Sequence, residues 1–269
     1  MRALSTFAPD QAAKIRFLLT DIDDTLTTDG HLTAGAYAAL ERLSAAGIIV
    51  IPITGRPAGW CDHIARMWPV FAIVGENGAF YMRYDHNRRR MLTHHFAGAE
   101  ERRANRAKLD ALSVNILAMV PGCALASDQN YREADLAIDF CEDVEPLSEG
   151  AIKQIVSLFE EEGAQAKVSS IHVNGWFGQY DKLSMTRTLF AREFSSKLED
   201  LLPVCAFAGD SPNDEPMFGF FDYSVGVANI QTQLHRLTHK PKYVTPSKGG
   251  AGFVELADWI LAAKKIQNS

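Results

Sequence analysis

Residues 17–25 read Phe17-Leu18-Leu19-Thr20-Asp21-Ile22-Asp23-Asp24-Thr25, a short apolar strand that ends abruptly in carboxylates. Asp21, Asp23 and Asp24 place three acids within four residues. Neighbouring carboxylates repel one another, so they stay ionised together only beside a cation. Oxygen ligands of this kind are the ones that Mg²⁺ prefers. The stretch therefore predicts a buried strand with a site for a hard cation at its carboxyl end.

Composition excludes several classes of protein. At 269 residues the chain has the size at which single cores begin to divide, so two structural units are expected. A formal charge of −6 argues against a general nucleic-acid binder, which needs a basic face to displace counterions. No run resembles a signal peptide or a membrane span, so we predict a soluble, cytoplasmic protein.

Cysteine spacing gives no indication of a metal site or of disulfides. The four cysteines are far apart and form no Cys-x-x-Cys pair, which argues against zinc and against a disulfide framework. Each is expected to be a small buried hydrophobic residue.

Strand and helix signals alternate in the first third of the chain and again near its end. Alternation of this kind predicts an α/β fold, a doubly wound, Rossmann-like parallel sheet with helices on both faces. The expected strands cover residues 15–20, 48–53, 70–74, 204–208 and 224–228. The expected helices cover residues 33–46, 57–68 and 181–198, with a last one from residue 252.

The pattern changes in the middle of the chain. Helices with charged faces are expected at residues 100–112 and 148–162, and half-exposed strands at 136–140 and 167–173. We predict an α+β unit at residues 84–178, inserted into a core formed by residues 1–83 and 179–269. Ligands of open parallel sheets bind beyond the carboxyl ends of the strands, where Asp21, Thr54 and Asp210 fall.

Polar residues at these strand ends match the needs of phosphoryl transfer. A carboxylate route needs a nucleophile, a metal, groups that bind the transferring oxygens, and an acid for the leaving group. Asp21 is the candidate nucleophile and Asp23 the candidate acid and base. Thr54 offers a hydroxyl, beside the backbone amides of Gly55 and Arg56 at a helix N-terminus, which is a natural anion site.

Two further segments complete the set. Lys182 starts a helix, where the helix dipole disfavours a cation, so its position suggests that it binds a ligand. The run Gly209-Asp210-Ser211-Pro212-Asn213-Asp214 follows an apolar strand, and Asp210 and Asp214 add carboxylates for a metal.

These four segments, in this order, resemble the four motifs of the haloacid dehalogenase superfamily, most of whose members are Mg²⁺-dependent phosphatases that form an aspartyl-phosphate. The insertion lies between the second and third motifs. That position resembles the large α+β cap of the type IIB subgroup, which contains Cof-like, sucrose-phosphate and mannosyl-phosphoglycerate phosphatases. Gly75-Glu76-Asn77-Gly78 and Lys248-Gly249-Gly250 also look like that subgroup. Asp24 departs from the pattern, since many relatives have glycine there.

The resemblance implies roles residue by residue. Asp21 would be nucleophile and metal ligand, and Asp23 would be acid and base with its backbone carbonyl on the metal. Asp210 would bind the metal directly, whereas Asp214 would act through water or from behind the ligands. Thr54 and Lys182 would bind the transferring phosphoryl group, beside the anion site expected at the amides of Gly55 and Arg56. Asn213 would bind phosphate or a metal-bound water.

An acid at position 23 fits protonation of an alkoxide leaving group and later activation of water. We therefore expect a Mg²⁺-dependent hydrolase of a small-molecule phosphomonoester, a phosphorylated sugar or phosphosugar-like acid, with neither nucleic acid nor membrane as partner. One alternative is a phosphohexose mutase of the same superfamily. Another is a regulatory binding protein with a vestigial site.

Two parts of the inserted unit could face the cleft. Arg132 could bind an anionic or hydroxyl-rich leaving group, although a solvated turn explains it equally well. Polar members of the segment 172–178, which includes His172 and Trp176, could also face the substrate, although a hinge with packed aromatics is the simpler interpretation.

Overall fold

The computed structural model describes residues 1–169 and 171–267. The α-helices in these ranges are α1 (Pro9–Ala12), α2 (Ala34–Ala45), α3 (Ala58–Met67), α4 (Ala99–Met119), α5 (Glu149–Glu161), α6 (Lys182–Glu193), α7 (Glu215–Phe220) and α8 (Gly249–Gln267). The β-strands are β1 (Arg2–Ala3), β2 (Phe17–Thr20), β3 (Thr27–Thr28), β4 (His31–Leu32), β5 (Ile49–Pro52), β6 (Ile73–Gly75), β7 (Phe80–Asp85), β8 (Arg90–His95), β9 (Ala124–Leu125), β10 (Leu136–Asp139), β11 (Gln165–Val168), β12 (His172–Trp176), β13 (Cys205–Gly209), β14 (Ser224–Gly226) and β15 (Tyr243–Val244). Within the described ranges, no helix combines the length and the apolar character that crossing a membrane requires.

A six-stranded sheet forms the centre of the molecule. Its order is β1-β15-β14-β13-β2-β5, and every neighbouring pair is parallel. Side chains of β2 alternate between two apolar clusters: Leu18 packs with α2, α3 and α8, whereas Phe17 and Leu19 pack with α6 and α7. The predicted α/β fold is confirmed. Because β2 lies between β13 and β5, the segments after these three strands meet at one edge.

A second, antiparallel sheet has the order β11-β12-β10-β9. One of its faces carries Leu136, Ile138 and Val173, which pack on α4 and α5 in a third apolar cluster. Helix α4 is longer than predicted because its pattern continues through buried Ile116 to Met119. The sheet and its two helices lie inside the predicted insertion.

The single strand predicted at residues 167–173 is wrong. Strand β11 ends at Val168 and β12 begins at His172, and the two pair antiparallel. Ser169 stabilises the turn, because its Oγ accepts hydrogen bonds from the backbone N–H groups of Ile171 and His172, at 3.3 and 2.9 Å. Polar and apolar residues alternate on each side of this turn, so the two strands read as one in the sequence. Ser170 lies outside the described residues.

The predicted start of the insertion at residue 84 falls inside strand β7. Strands β7 and β8 form a hairpin that pairs with β6, and Ile53 bridges Val74 in parallel, next to the central sheet. This pairing puts residues 84–95 with the core. The division into 1–83, 84–178 and 179–269 remains a prediction, and we propose to begin the insertion at α4.

Candidate active site

Three acids from two loops meet at the carboxyl edge of the central sheet. Asp21 follows β2, whereas Asp210 and Asp214 follow β13, and each residue is at most 4% exposed. One carboxylate oxygen from each lies within 4.8 Å of the others. The edge therefore presents a compact, buried set of oxygen ligands.

Lys182 enters this cluster from the N-terminus of α6. Its Nζ donates to Asp21 Oδ1 at 2.6 Å and to Asp214 Oδ1 at 2.7 Å. Gly78 lets the preceding turn approach this helix, because a Cβ at position 78 would lie 2.1 Å from the carbonyl oxygen of Asp181. Burial opposes the ammonium charge, but the two carboxylates outweigh it and raise the pKa of Lys182, so the side chain stays protonated.

The cluster carries more negative charge than Lys182 can balance. Burial raises the pKa of Asp21 to about 8. The neighbouring acids Asp214 and Asp23 also raise this pKa, whereas Lys182 lowers it. Burial, followed by Asp21 and Asp214, also raises the pKa of Asp210 well above its ordinary range. A divalent cation would remove this excess, so the donor set fits Mg²⁺.

Polar neighbours orient the two acids that follow β13. Asp210 accepts from the Thr25 hydroxyl at 3.2 Å and from Asn229 Nδ2 at 2.8 Å. Asp214 Oδ2 accepts from the backbone N–H groups of Asp210 and Ser211, at 3.0 and 3.3 Å. Asp214 Oδ1 accepts from Lys182, so both oxygens of Asp214 already have hydrogen-bond partners. This arrangement suits a residue that supports the metal ligands without binding the metal directly.

Asn229 was missed by the sequence analysis. Its Nδ2 also donates to the carbonyl of Asp24, at 3.0 Å, and its Oδ1 accepts from the backbone of Gly249. Asp24 itself has a φ of 56°, a left-handed conformation that explains why glycine suits that position. A signal for Asn229 existed, because it follows strand β14 of the same parallel sheet.

Thr54 and Asn213 are joined through the turn that contains Asn77. The backbone N–H of Asn77 donates to the Thr54 carbonyl at 3.0 Å, and Asn213 Nδ2 donates to Asn77 Oδ1 at 3.3 Å. The backbone N–H of Arg56 donates to Thr54 Oγ1 at 3.0 Å. This N–H was expected to bind an anion, but it binds the threonine hydroxyl instead. Gly55 lies against the Asn77 side chain.

The Arg56 side chain connects the core to the inserted unit. Its Nε donates to both oxygens of Asp23, at 2.9 and 3.1 Å, and Nη2 donates to Glu142 at 3.1 Å. Nη1 reaches Asp128 at 3.4 Å, and the guanidinium stacks on Trp60, 4.4 Å from the ring centre. The Arg56 side chain therefore binds Asp23, the candidate acid. It makes no hydrogen bond with Thr54, which is bonded to the Arg56 backbone instead. Glu142 and Asp128 are contacts that the sequence did not indicate.

Arg132 lies at the same junction. Its side chain is 1% exposed and forms ion pairs with Asp128 and Asp135, and Nη1 also donates to the Gly55 carbonyl at 2.9 Å. Every guanidinium nitrogen already has an acceptor. The geometry therefore makes Arg132 a connection between the two units, and a contact with substrate is a prediction that this geometry does not favour.

Glu76 is a second connection between the units. Its Oε1 accepts from the backbone N–H groups of Ala58 and Glu133, both at 2.9 Å, and Oε2 accepts from those of Ala134 and Asp135. The residue is fully buried. A single carboxylate thus binds helix α3 of the core to the loop before β10.

A narrow cavity lies over the acids. It is bordered by Asp21, Asp23 and Arg56 from below and by Ile171, His172, Asn174 and Arg132 from the inserted unit. Groups from both units therefore face the same small space.

Residues 18–110 match the family model described as haloacid dehalogenase-like hydrolase. This segment is similar to haloacid dehalogenase-like hydrolases. The resemblance inferred from the motifs is confirmed. No curated protein matches it by sequence.

Solved structures share the haloacid dehalogenase-like fold over nearly their whole length. Protein 0175 of Thermoplasma acidophilum superposes with a TM-score of 0.70 at 16% identity, covering 91% of this chain and 98% of that one. A putative Cof-like hydrolase from Plasmodium vivax gives 0.67 at 19% identity, covering 95% and 99%. The sucrose-phosphatase of Synechocystis, solved with sucrose and phosphate, gives 0.62 at 17% identity, covering 91% and 97%. At these identities the likeness shows the fold.

Proposed function

We propose that the protein is a Mg²⁺-dependent phosphomonoester hydrolase that acts through an aspartyl-phosphate on Asp21. The observation that carries this proposal is the buried cluster in which Lys182 bridges Asp21 and Asp214 beside Asp210. A structural ion pair alone would not need three buried acids around one ammonium, because unbalanced buried charge is costly. Binding a cation and a phosphoryl group explains the arrangement.

The protein groups divide the work of binding. Asp21, Asp210 and the backbone carbonyl of Asp23 would hold Mg²⁺, which supplies positive charge to the transferring oxygens when bound. Lys182, Thr54 and Asn213 would bind the remaining phosphoryl oxygens. We assign Gly55 and Arg56 to shaping this segment, since the Arg56 amide is bonded to Thr54.

The first step would transfer the phosphoryl group to the protein. An oxygen of Asp21 attacks phosphorus, and the bond between phosphorus and the ester oxygen breaks. The electron pair leaves with that oxygen, which takes a proton from Asp23. Arg56 holds Asp23 by two hydrogen bonds, so it orients the acid toward the leaving group.

The second step would return Asp21 to its starting state. Water attacks the aspartyl-phosphate, and Asp23, now a carboxylate, takes the proton that the water loses. The bond between phosphorus and the Asp21 oxygen breaks, and inorganic phosphate leaves. Without this base the phosphorylated protein would accumulate.

The substrate class is proposed from the neighbours and from the polar lining of the cleft. Among structural neighbours are a sucrose-phosphatase and a trehalose-6-phosphate phosphatase-related protein. Polar groups of both units border the narrow cavity. We therefore propose a phosphorylated sugar or a phosphosugar-like acid as substrate.

The direct test measures phosphate release from a broad panel of phosphomonoesters, with Mg²⁺, with Ca²⁺ and after exhaustive chelation. We expect release only with Mg²⁺. Ca²⁺ should inhibit, because it accepts longer bonds and more ligands and could engage both oxygens of Asp21. Full activity after chelation, or no release from any ester, would reject the proposal. Conversion of a hexose 1-phosphate without phosphate release would indicate a mutase.

A further inference from the structure

The face of the second sheet that is turned away from α4 and α5 is polar. Register places Gln165 opposite Trp176 and Lys167 opposite Asn174, so these four side chains share one face. The apolar face, with Leu136, Ile138 and Val173, is already occupied by the third cluster. The polar face therefore belongs to the side of the inserted unit that meets the core.

A cavity of about 250 Å³ lies between this polar face and the core. We call it the side cavity, and it is bordered by Gln165, Lys167 and Trp176 from the inserted unit and by Asn77, Lys182 and Asn213 from the core. Asn213 also borders the narrow cavity over Asp21. The side cavity is thus adjacent to the phosphoryl site, and a leaving group attached there could extend into it.

Two residues that border the side cavity carry buried hydrogen-bond donors without acceptors. Trp176 Nε1 and Asn77 Nδ2 are buried, in residues 1% and 3% exposed, and neither has a partner among the described residues. The indole nitrogen can only donate, and a buried donor left unpaired is costly. Both atoms therefore lack the acceptor that a buried donor normally has.

The charged side chains around the side cavity also favour an anionic ligand. Lys167 forms no ion pair within residues 1–169 and 171–267, whereas Lys182 is balanced by Asp21 and Asp214. The one acid that borders the side cavity, Asp181, already accepts from the backbone of Ser184 at 2.7 Å. An ammonium and two unpaired donors match a group that only accepts, such as a carboxylate.

We propose that the side cavity binds an acidic group on the leaving group, so the preferred substrate is a phosphorylated sugar acid or a shorter hydroxy acid. This inference rests on the proposed function and names its substrate class. Lys167 would pair with the carboxylate, and Trp176 Nε1 and Gln165 would donate to its oxygens or to neighbouring hydroxyls. Lys167, Trp176 and Gln165 bind this distal group and take no part in the bond changes.

The test compares open-chain esters in which a carboxylate replaces a hydroxymethyl group: 6-phosphogluconate with glucitol 6-phosphate, and 3-phosphoglycerate with glycerol 3-phosphate. We expect kcat/KM to be at least about tenfold higher for the acid in one pair or both, as a charge-assisted hydrogen bond allows. Lys167→Met should raise KM for that acid about tenfold, leave its kcat unchanged, and leave the neutral partner unaffected. Lys153→Met, an exposed lysine on α5, is the matched control.

Trp176→Phe removes the indole donor and keeps a smaller aromatic ring beside Tyr180, whose ring centre is 5.5 Å from that of Trp176. It should also raise KM for the acid selectively. Equal kcat/KM for acid and neutral esters, or equal effects of Lys167→Met on both, would overturn the inference while leaving the phosphatase proposal intact. Absence of phosphate release from every ester would instead overturn the proposed function and, with it, the inference.

Discussion

Lys182 Nζ lies 2.6 Å from Asp21 Oδ1, in a pair whose side chains are 1% and 6% exposed. The same ammonium lies 2.7 Å from Asp214 Oδ1. One cation therefore joins the loop after β2 to the loop after β13. Its removal would leave buried acids without a counter-charge, which couples the stability of the core to the proposed chemistry.

Lys182→Met should reduce both stability and activity. Breaking a buried ion pair costs about 3–5 kcal/mol, and loss of a group that stabilises transition-state charge lowers kcat by about a hundredfold or more. Thermal melts and phosphate release measure the two effects. Lys197→Met, at an exposed position after the same helix, should change neither. A Lys182→Met protein with normal Tm and normal kcat would contradict this assignment.

Arg132→Ala should act on stability rather than on specificity. The change leaves Asp128 and Asp135, which are 5% and 0% exposed, without their shared cation, so we expect a loss of about 3 kcal/mol. KM should change to the same extent for the best substrate and for p-nitrophenyl phosphate. Arg103→Ala, at an exposed position on α4, serves as the control. A KM increase confined to the best substrate would show that Arg132 contacts it.

Most of the predicted site follows from one rule: ligands of an open parallel sheet bind beyond the carboxyl ends of its strands. Asp21 and Asp210 follow neighbouring strands of a parallel sheet, so the topology brings their carboxylates together. The same rule could have found Asn229. It could not find Glu142 or Asp128, because these side chains reach Arg56 only through the packing of the inserted unit on the core. Side-chain contacts between elements far apart in the sequence leave no periodic signal.

The inserted unit shows the same limit in its strands. Alternation predicted the strand near residue 136 correctly and indicated strand structure around residue 167, because one face of the sheet packs on helices. It did not separate β11 from β12, since Ser169 makes the turn through side-chain hydrogen bonds rather than through glycine or proline.

Arg56→Lys should impair hydrolysis of alkyl phosphates more than that of p-nitrophenyl phosphate. Lysine cannot reproduce the forked contact of Arg56 with Asp23 and Glu142, so the acid would lose its orientation. An alkoxide needs a proton to leave, whereas nitrophenolate needs little help. The ratio of kcat values for the two esters measures the effect. An equal decrease for both would place Arg56 outside the protonation step.

Glu142→Gln should lower Tm at neutral pH but not in acid. The close contact with His172, whose Nε2 lies 2.8 Å from Glu142 Oε2, and the nearby charge of Arg56 lower the pKa of Glu142 from 4.5 to about 2. A lowered folded-state pKa stabilises the protein fully above pH 4.5, and that contribution is lost as the pH falls toward 2. Because the side chain is 29% exposed, the difference in Tm should be small.

Melts of wild type and Glu142→Gln at several values between pH 7 and pH 3 provide the measurement. The Tm difference should be constant above pH 5 and shrink below it. Glu145→Gln, an exposed acid nearby, should show no such dependence. A difference that stayed constant down to pH 3 would mean that the carboxylate charge contributes nothing to the contact between the units.

Asp21→Asn and Asp23→Asn should separate the two steps of the proposed reaction. A neutral amide is a poor nucleophile, so Asp21→Asn should form no covalent intermediate. Asp23→Asn keeps the nucleophile, and nitrophenolate can leave with little protonation, but the base for the second step is missing. With p-nitrophenyl phosphate we therefore expect a burst of one nitrophenol per protein and then very slow turnover.

The covalent product identifies the nucleophile. Asp23→Asn treated with p-nitrophenyl phosphate should gain roughly 80 Da, the mass of one phosphoryl group, whereas Asp21→Asn should gain nothing. Peptide mapping should place the adduct on Asp21, which lies beside Lys182 and Asp210 in the buried cluster. In the wild-type protein, single turnover in ¹⁸O water should label phosphate and leave Asp21 unlabelled, because water attacks phosphorus rather than the carboxyl carbon. An adduct on any other residue would require a different nucleophile.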